Sequence, residues 1–351
     1  MRRVAVILGG RSSEHEISLA SGRSVLDALD PERYEVITVE IGRDGRWALG
    51  RGSAPAQIGR AQAQGTDPGA GPAETLPVQT SSDGVLPALA SVEVVIPVLH
   101  GPFGEDGTVQ GLLALADCPF VGADHAASAI CMDKDVTKRL LRASGIPVAR
   151  SVTLRRSDTI DHPFDYPVFV KPARLGSSVG ISKVARPSEL EPAVALAREH
   201  DEKVLIEEQV LGIEVECGVL GNENPIASLP GEIVAHGFSG ADWYDYSAKY
   251  DEGGMDLVVP PRIPSEQARR VQKVSVDAFV ATECEGMARV DCFVTDGGEV
   301  LVNELNTIPG FTATSVYAKL FEASGMPYAE LLDRLISLAL ERHERKSNLR
   351  Y

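Results

Sequence analysis

The N-terminal residues repeat one local pattern that restricts the fold more than any other feature of the sequence. Arg3 to Leu8 form a short apolar run that ends at Gly9-Gly10, and a helical stretch to Leu29 follows, opened by a predicted capping box at Ser13 and Glu16. A second unit has a strand over 92–99, a loop, and a helix over 108–116. Strands that alternate with helices predict a parallel sheet, and therefore an α/β first domain.

The rest of the chain has the pattern of an α+β protein, and we place a domain boundary at 120–125. Predicted strands cover 166–171, 204–208, 213–220, 290–294 and 300–304, and predicted helices cover 132–143, 265–282 and 328–340. The strands on either side of Leu211-Gly212 predict an antiparallel hairpin, as do those on either side of Asp296-Gly-Gly298. The Gly, Ala, Pro and Gln residues of 51–77 predict a mobile surface insertion in the first domain.

Composition excludes several classes of protein. The chain has 351 residues, enough for two to three domains, and its 34 Lys+Arg against 50 Asp+Glu give a net charge of −16 that repels nucleic acid. No apolar run approaches the ~20 residues that span a bilayer, and no cleavable signal precedes Gly9, so we expect no membrane contact and a soluble, cytoplasmic protein. The five scattered cysteines lack a C-x-x-C pair, which favours buried thiols over disulfides or a zinc site.

The segment Lys171-Pro-Ala-Arg-Leu-Gly-Ser-Ser-Val-Gly180 is typical of a phosphate-binding loop. Its small residues allow consecutive backbone N–H groups to face one anion, and the lysine at the end of the preceding strand adds a positive charge. The chain contains no Walker A motif. The composition alone therefore leaves open a nucleotide phosphate site or a flexible surface loop.

A pair of predicted strands carries the residues best suited to bind a metal. Alternation places Arg289 and Asp291 on one face of the first strand, and Glu304 and Asn306 on one face of the next. Adjacent strands can then present Asp291, Glu304 and Asn306 to one point, where three oxygen ligands suit Mg²⁺. Acidic residues are depleted in strands, which favours this interpretation over an ordinary polar face.

Two loops add further candidate groups. The segment 307–316 is rich in hydroxyl side chains and offers N–H and O–H donors to a carboxylate or an oxyanion. The aromatic segment 243–250 is bracketed by glycines and predicts a lid over a site. Glu207, Glu208 and Glu214 could contact a ribose or an adenine, although solvated glutamates are the alternative.

Together these segments resemble the D-alanine–D-alanine ligase family of ATP-grasp enzymes. The resemblance covers residue 4 to about 340, with 51–77 as the main part outside it. The matching segments occur in family order: Leu8-Gly-Gly-Arg-Ser-Ser-Glu-His-Glu-Ile-Ser18, Leu99-His-Gly-Pro-Phe-Gly-Glu-Asp-Gly-Thr108, Met132-Asp-Lys134, Lys171 to Gly180, Tyr244-Asp-Tyr-Ser-Ala-Lys-Tyr250, Arg289-Val-Asp291 and Asn303-Glu-Leu-Asn-Thr-Ile-Pro-Gly310.

The resemblance implies a three-domain ATP-grasp architecture. An N-terminal parallel βα domain (1–122) would bind substrate, and a central α+β subdomain (123–211) and a C-terminal α+β subdomain (212–351) would enclose ATP between them. It also implies two Mg²⁺ ions, for which Mn²⁺ can substitute, held by Asp291, Glu304 and Asn306. A homodimer is the expected oligomer.

The resemblance assigns a role to each candidate residue. The nucleotide side would be formed by Lys134, Lys171, Ser177, Ser178, Glu207, Glu208, Val210, Glu214, Lys249 and Phe293. The substrates would be held by Glu14, His100, Ser315 and Val316. Catalysis would depend on Glu14, Ser177, Tyr250, Arg289 and Gly310. His100 could equally be a loop histidine that is satisfied by its neighbours.

The implied reaction joins two D-alanine molecules for peptidoglycan precursor synthesis. ATP phosphorylates the carboxylate of the first D-alanine, because an amine displaces phosphate readily but cannot displace oxide. The amine of the second D-alanine then attacks the acyl phosphate and releases phosphate, beside the ADP already formed. Glu14, Ser177 and Tyr250 form the candidate route for the proton that the amine loses.

Four alternatives to this function remain. A D-alanine–D-lactate ligase would share the ATP site and differ near Tyr250, where the Lys249-Tyr250 pair resembles the dipeptide type. A dinucleotide-dependent oxidoreductase would explain Gly9-Gly10, but the chain lacks G-x-G-x-x-G and this reading leaves Asp291 and Glu304 without a role. The third alternative is a non-catalytic nucleotide-binding module, and the fourth is another ATP-grasp carboxylate–amine ligase.

Overall fold

The computed structural model describes residues 1–50, 85–235 and 255–350, and these form a mixed α/β structure built on three sheets. The insertion predicted over 51–77 lies outside the described residues, and so do Lys249 and Tyr250 of the predicted lid.

The first sheet contains the predicted parallel core. Its order is β3-β2-β1-β4, in which β1 (Arg2–Gly9) runs parallel to β2 (Tyr34–Ile41) and to β4 (Val94–Pro97). The edge strand β3 (Trp47–Gly50) is antiparallel to β2. Both faces of β1 are buried, because helices cover both sides of the sheet, which explains why its sequence is continuously apolar. The helices of this part are α1 (His15–Ala28), α2 (Val85–Leu89) and α3 (Thr108–Leu115).

The second sheet is antiparallel and has the order β5-β8-β6-β7. Its strands are β5 (Ser151–Leu154), β6 (Val168–Pro172), β7 (Ser182–Val184) and β8 (Val204–Glu208). A short 3-10 turn over Pro187–Glu189 precedes helix α6 (Leu190–Arg198), which packs on one face of this sheet. Helices α4 (His125–Met132) and α5 (Lys134–Ala143) connect it to the first sheet along the chain.

The third sheet has the order β12-β11-β9-β13-β14, with β10 added at the end of β9. Its strands are β9 (Gly212–Gly221), β10 (Ile226–Ala227), β11 (Gly231–Ala235), β12 (Met255–Val258), β13 (Gly286–Thr295) and β14 (Val300–Asn306). Helix α7 (Ser265–Ala281) packs on one face. The predicted hairpin around Asp296-Gly-Gly298 is confirmed, since β13 pairs antiparallel with β14.

Three local predictions are wrong. The strands β8 and β9 do not form a hairpin, because β8 pairs with β5 and β6 whereas β9 pairs with β11 and β13. The helix predicted over 132–143 begins at Lys134, because Asp133 is extended and its side chain caps the new helix by accepting from the N–H of Val136. The capping box at Ser13 is absent, since α1 begins at His15 without a side-chain cap.

The C-terminal helices connect the third sheet to the first. Helix α8 (Val316–Ala323) leads to α9 (Tyr328–Ser347), whose Leu331, Leu335 and Ile336 lie in the same core as β1. The buried Arg342 of α9 donates to the carbonyl oxygens of Phe120 and Gly122. The described helices include none that is long and apolar enough to span a membrane. All five cysteines are free and buried, as predicted.

Candidate active site

One cleft collects candidate residues from all three sheets. A pocket is lined by Glu105, Cys131, Met132, Lys134, Gly176, Glu304, Leu305, Asn306 and Thr307. At its edge the hydroxyl of Ser177, in the predicted phosphate loop, donates to Oε1 of Glu14, which lies 163 residues away in sequence. Ser177 and Ser178 both adopt left-handed backbone conformations, with φ of 52° and 59°. Consecutive left-handed residues are uncommon outside functional loops, and here they orient the loop toward Glu14.

Glu14 is buried beside the loop that follows β4. The backbone of Gly101 passes so close that a Cβ there would lie 2.6 Å from Glu14 Oε2. Gly101 has a φ of 72°, which favours glycine for a second reason. The lack of a side chain at Gly101 therefore leaves room for the carboxylate of Glu14.

His100 connects this loop to the loop that contains Gly310. Its Nδ1 lies 2.9 Å from the carbonyl oxygen of Ile308, and its Nε2 lies 3.2 Å from Ser21 Oγ. A carbonyl can only accept, so Nδ1 carries the proton and Nε2 accepts from Ser21. Burial lowers the pKa of His100, which is consistent with a neutral ring. Both ring nitrogens are therefore used by the protein, and His100 positions the loop before Gly310.

Glu105 is a second carboxylate in the cleft, and sequence reasoning assigned it no role. Its Oε1 accepts from the N–H of Gly101 at 3.0 Å. A Cβ on Gly176 would lie 3.9 Å from Glu14 Oε2 and 4.0 Å from Glu105 Oε1, so both carboxylates face the same point of the phosphate loop. Burial and the neighbouring charge of Glu14 raise the pKa of Glu105 to about 8. The sequence feature that could have indicated a role for Glu105 is its position in the loop motif Gly104-Glu-Asp-Gly107.

Arg289 lies at the centre of the charged residues on the third sheet. It donates through two nitrogens to Asp291, at 2.7 and 2.8 Å, and its Nε lies 2.9 Å from Glu216 Oε2. Glu216 and Asp291 are cross-strand neighbours on β9 and β13, which explains why both reach one guanidinium. Burial lowers the pKa of Arg289, but the two carboxylates outweigh it and raise this pKa well above its usual value. Sequence reasoning missed Glu216.

The three predicted metal ligands lie together. Asp291 faces Glu304 across the β13–β14 pair, and Asn306 Nδ2 donates to Asp291 Oδ2 at 3.0 Å. The ammonium of Lys134 lies 3.1 Å from Glu304 Oε2 and donates to the carbonyl oxygen of Leu175 at 2.8 Å. Among the described residues no three His, Cys, Asp or Glu side chains are clustered to hold a metal. The set here is two carboxylates and one amide, whose oxygens fit Mg²⁺ that is shared with phosphates.

The predicted phosphate lysine belongs to a buried ionic group on the second sheet. Lys171 Nζ lies 2.7 Å from Glu207 Oε1, and Lys138 Nζ lies 2.6 Å from Glu207 Oε2. Burial would raise the pKa of Glu207, but the two ammonium charges outweigh it and lower this pKa to about 2. Both oxygens of Glu207 are thus engaged by lysines in this structure. Sequence reasoning missed Lys138, which lies one helical turn after Lys134.

The remaining nucleotide-side candidates lie where the second and third sheets are adjacent in sequence. Glu208 bonds to Arg150, with its Oε2 2.7 Å from the arginine Nε, and Val210 lies in the short connection to β9. Glu214 and Phe293 are cross-strand neighbours on β9 and β13, and both are half-buried. These residues therefore lie at the end of β8, in the connection that follows it, and at paired positions of β9 and β13.

The loop after β14 carries the predicted donors. A Cβ on Gly310 would lie 3.3 Å from Ser315 Oγ, so the two residues are in close contact. The hydroxyls of Ser315 and Thr312 lie 2.7 Å apart, and the N–H of Thr312 donates to Ser315 Oγ at 3.0 Å. Val316 opens helix α8 directly after Ser315. This arrangement places hydroxyl groups and a helix N-terminus beside Gly310, which suits a carboxylate.

Comparison with protein families identifies the chain. A family model described as "D-ala D-ala ligase N-terminus" matches residues 3–123, and one described as "D-ala D-ala ligase C-terminus" matches residues 140–337. The chain belongs to the D-alanine–D-alanine ligase family. The resemblance inferred from the sequence motifs is thereby confirmed, together with the ATP-grasp fold that it implied.

Similar proteins within this family cover almost the whole chain. A D-alanine–D-alanine ligase A from Chromobacterium violaceum is 46% identical, over 97% of this chain and 95% of that protein. A solved structure of a D-Ala:D-Ser ligase from Enterococcus faecalis is 36% identical, covers 96% of this chain and 99% of that one, and has a TM-score of 0.80. A D-alanine–D-alanine ligase from Bacillus anthracis, complexed with ATP, is 26% identical, covers 99% and 100%, and has a TM-score of 0.75.

Proposed function

We propose that this chain catalyses the ATP-dependent ligation of two D-alanine molecules to D-alanyl-D-alanine, with release of ADP and phosphate, for peptidoglycan precursor synthesis. Membership of the D-alanine–D-alanine ligase family supports the reaction class. The observation that carries the proposal most is the hydrogen bond from Ser177 to Glu14. It joins the proposed amino-acid-binding carboxylate to the proposed phosphate loop, so that a carboxyl substrate and a γ-phosphate can meet in one cleft.

The nucleotide is proposed to lie between the second and third sheets. Lys134 and Lys171 face its phosphates with the Ser177–Ser178 turn, and Glu208, Val210, Glu214 and Phe293 face its base and ribose. Glu207 contributes to this side through its ion pairs with Lys138 and Lys171. Asp291, Glu304 and Asn306 would hold two Mg²⁺ ions, or Mn²⁺ in their place. The bound ions would neutralise phosphate charge during transfer.

In the first step the carboxylate of one D-alanine attacks the γ-phosphorus of ATP, and ADP leaves. Glu14 is proposed to hold the ammonium of this substrate, because it is a buried carboxylate beside the phosphate loop. The product is an acyl phosphate, in which one carboxylate oxygen is now bonded to phosphorus. Lys249 is proposed to reach the γ-phosphate, and it lies outside the described residues.

In the second step the amine of the other D-alanine attacks the acyl carbon. An α-amino group has a pKa of roughly 8, so it must lose a proton, which passes to the proposed network of Glu14, Ser177 and Tyr250. The tetrahedral intermediate carries an oxyanion, for which Arg289 and the N–H of Gly310 are the proposed donors. Phosphate then leaves with the former carboxylate oxygen. Ser315 and the N-terminus of α8 at Val316 are proposed to bind the carboxylate of the second substrate.

His100 is proposed to support substrate binding indirectly, by holding two parts of the cleft in place. Its two ring nitrogens hold Ser21 and the carbonyl of Ile308, so it fixes the distance between the Glu14 side of the cleft and the Gly310 loop. We also propose a division into 1–122, 123–211 and 212–351, a homodimeric assembly and a cytoplasmic location.

A second candidate is the ligation of D-alanine to D-serine. The solved D-Ala:D-Ser ligase is 36% identical to this chain with a TM-score of 0.80, so the same fold supports a hydroxylated second substrate in that protein. D-lactate is the third candidate, with an ester product.

The deciding experiment incubates the purified protein with Mg²⁺, ATP and D-alanine and measures ADP release together with product mass. We expect ADP and D-alanyl-D-alanine in equal amounts, and no product with L-alanine. Parallel reactions add D-serine or D-lactate at the same concentration. A mixed product in excess over the dipeptide would replace the proposal with that of the second or third candidate. ATP binding without any of these products would overturn all three.

A further inference from the structure

Two buried lysines share one carboxylate behind the proposed phosphate site. Lys138 is 1% exposed, and it contacts Glu207 on the side opposite to Lys171. The group therefore carries two positive charges and one negative charge, an excess of one positive charge in a buried place. Buried ions are normally paired, because leaving water costs several kcal/mol per ion. An unbalanced ammonium here needs a further anion.

The surroundings do not supply that anion. Within the described part of the chain, Lys138 Nζ has no hydrogen-bond acceptor beside its ion pair with Glu207. Burial and the charge of Lys171 lower the pKa of Lys138, although Glu207 partly offsets them. Arg142, on the same helix, adds another positive charge to this environment. The net positive charge of Lys138, Lys171 and Glu207 thus favours binding of an anion. Of these three residues, Lys171 is the one that lies at the start of the proposed phosphate loop.

We infer that Lys138 is a positioning residue for the nucleotide, which acts by holding Glu207 so that the Lys171 ammonium stays available to the phosphates of ATP. The inference rests on the proposed function only in the use of ATP. Without Lys138, Glu207 would pair with Lys171 alone, and this carboxylate would compete with the phosphates for the same ammonium. Lys138 itself would touch no nucleotide atom.

A neighbouring buried lysine supplies a matched control. Lys203 is 7% exposed and lies 2.6 Å from Asp133 and 3.3 Å from Asp135. Arg174 lies 3.9 Å from the same Asp133 and Arg139 lies 3.1 Å from the same Asp135, so each carboxylate keeps a cation when Lys203 is removed, and none of these contacts involves Lys171 or Glu207. K203M therefore removes a buried ion-paired lysine without changing the balance around Lys171.

The experiment measures the dissociation constant of ADP with Mg²⁺, in the absence of D-alanine, by calorimetry on the full chain. The variants are K138M, K203M, E207Q and the double variant K138M/E207Q, each checked for folding by circular dichroism and thermal unfolding. We expect K138M to weaken ADP binding about tenfold, in line with measured couplings between contacting charged residues. K203M should change it less than twofold. In the E207Q background, loss of Lys138 should change it less than threefold, because Glu207 is no longer there to compete.

Several results would overturn the inference. ADP binding by K138M equal to that of the natural chain would show that Lys138 does not serve the nucleotide. Equal losses in both backgrounds would show that Lys138 acts on the nucleotide directly and not through Glu207. An equal loss in K203M would show a general effect of removing buried lysines.

If K138M alone does not fold, the comparison of E207Q with K138M/E207Q still decides, since a loss of tenfold or more there contradicts the inference. A natural chain that binds ADP but forms no dipeptide would refute the proposed ligase reaction and leave this inference standing. A natural chain that binds no ADP would refute the inference itself.

Discussion

Replacing Arg289 tests the proposed oxyanion donor and the charge arrangement on β13 together. Arg289 makes ionic contacts of 2.7, 2.8 and 2.9 Å with Asp291 and Glu216, and its side chain is only 18% exposed. R289M leaves these two carboxylates without their cation. Breaking a buried ion pair from one side costs about 3–5 kcal/mol. We expect a loss near the lower limit, about 3 kcal/mol, because Asn306 still donates to Asp291 and relieves part of the negative charge.

The same substitution should affect catalysis separately. Loss of one oxyanion donor typically costs about 2.7–4 kcal/mol in the barrier, which is 10²–10³-fold in turnover. R289K keeps the charge but loses the two-pronged contact with Asp291, so we expect a turnover loss of about tenfold. Arg262 provides the control, since it contacts Glu232 on β11 with a similar fork but is exposed. R262M should leave turnover unchanged.

The assay is steady-state ADP release at saturating substrates, combined with urea unfolding of each variant. Turnover should be measured at a temperature where each variant is more than 95% folded, so that stability and catalysis are separated. Turnover by R289M within threefold of the natural chain would refute Arg289 as an oxyanion donor. An unchanged free energy of unfolding would refute the ion pairing of Arg289 with Asp291 and Glu216.

Other predictions address the remaining parts of the site. The pKa of Glu207 is lowered to about 2 in the folded chain, so its ionised form stabilises the fold above its ordinary pKa of 4.5, and this contribution is lost as the pH falls from about 4.5 to 2. The difference in unfolding free energy between the natural chain and E207Q should shrink over that range, and a constant difference would contradict it. The pKa of Glu105 is raised to about 8, so its ionisation destabilises the fold as the pH rises from about 4.5 to 8. The unfolding temperature should therefore fall over this pH range, and E105Q should reduce that fall. An equal fall in E105Q and the natural chain would contradict the burial of this carboxyl. H100A should lower the free energy of unfolding by about 1–3 kcal/mol, because the carbonyl of Ile308 loses its donor, and unchanged chemical denaturation would contradict this contact. EDTA should abolish ADP release, and Mg²⁺ or Mn²⁺ should restore it, whereas full turnover in EDTA would refute the metal site.

Local patterns predicted the parts of the structure that depend on neighbouring residues. Alternation placed Asp291 and Glu304 on facing positions of two strands, and their pairing on β13 and β14 follows directly. The alternation of strands and helices predicted a parallel sheet, and β1 runs parallel to β2 and β4. These features are local because a short turn, or the alternation of side chains along one strand, determines them.

Features that depend on distant residues could not be predicted in the same way. The turn after β8 looks like a hairpin turn, yet the pairing partners of β8 and β9 lie in different sheets. Lys138 in a polar helix resembles a solvated residue until packing against β8 places it beside Glu207. Glu216 joins Arg289 only through the register of β9 against β13. The bond between Ser177 and Glu14 spans 163 residues, and only the family resemblance anticipated it.

Transfer of isotopic oxygen tests the proposed mechanism most directly. D-alanine labelled with ¹⁸O in its carboxylate is incubated with Mg²⁺, ATP and the enzyme, and the inorganic phosphate is analysed by mass spectrometry. If the carboxylate attacks the γ-phosphorus and phosphate leaves in the second step, each phosphate released carries one ¹⁸O atom, and one phosphate forms for each dipeptide. Dipeptide formed together with unlabelled phosphate would contradict the acyl-phosphate route.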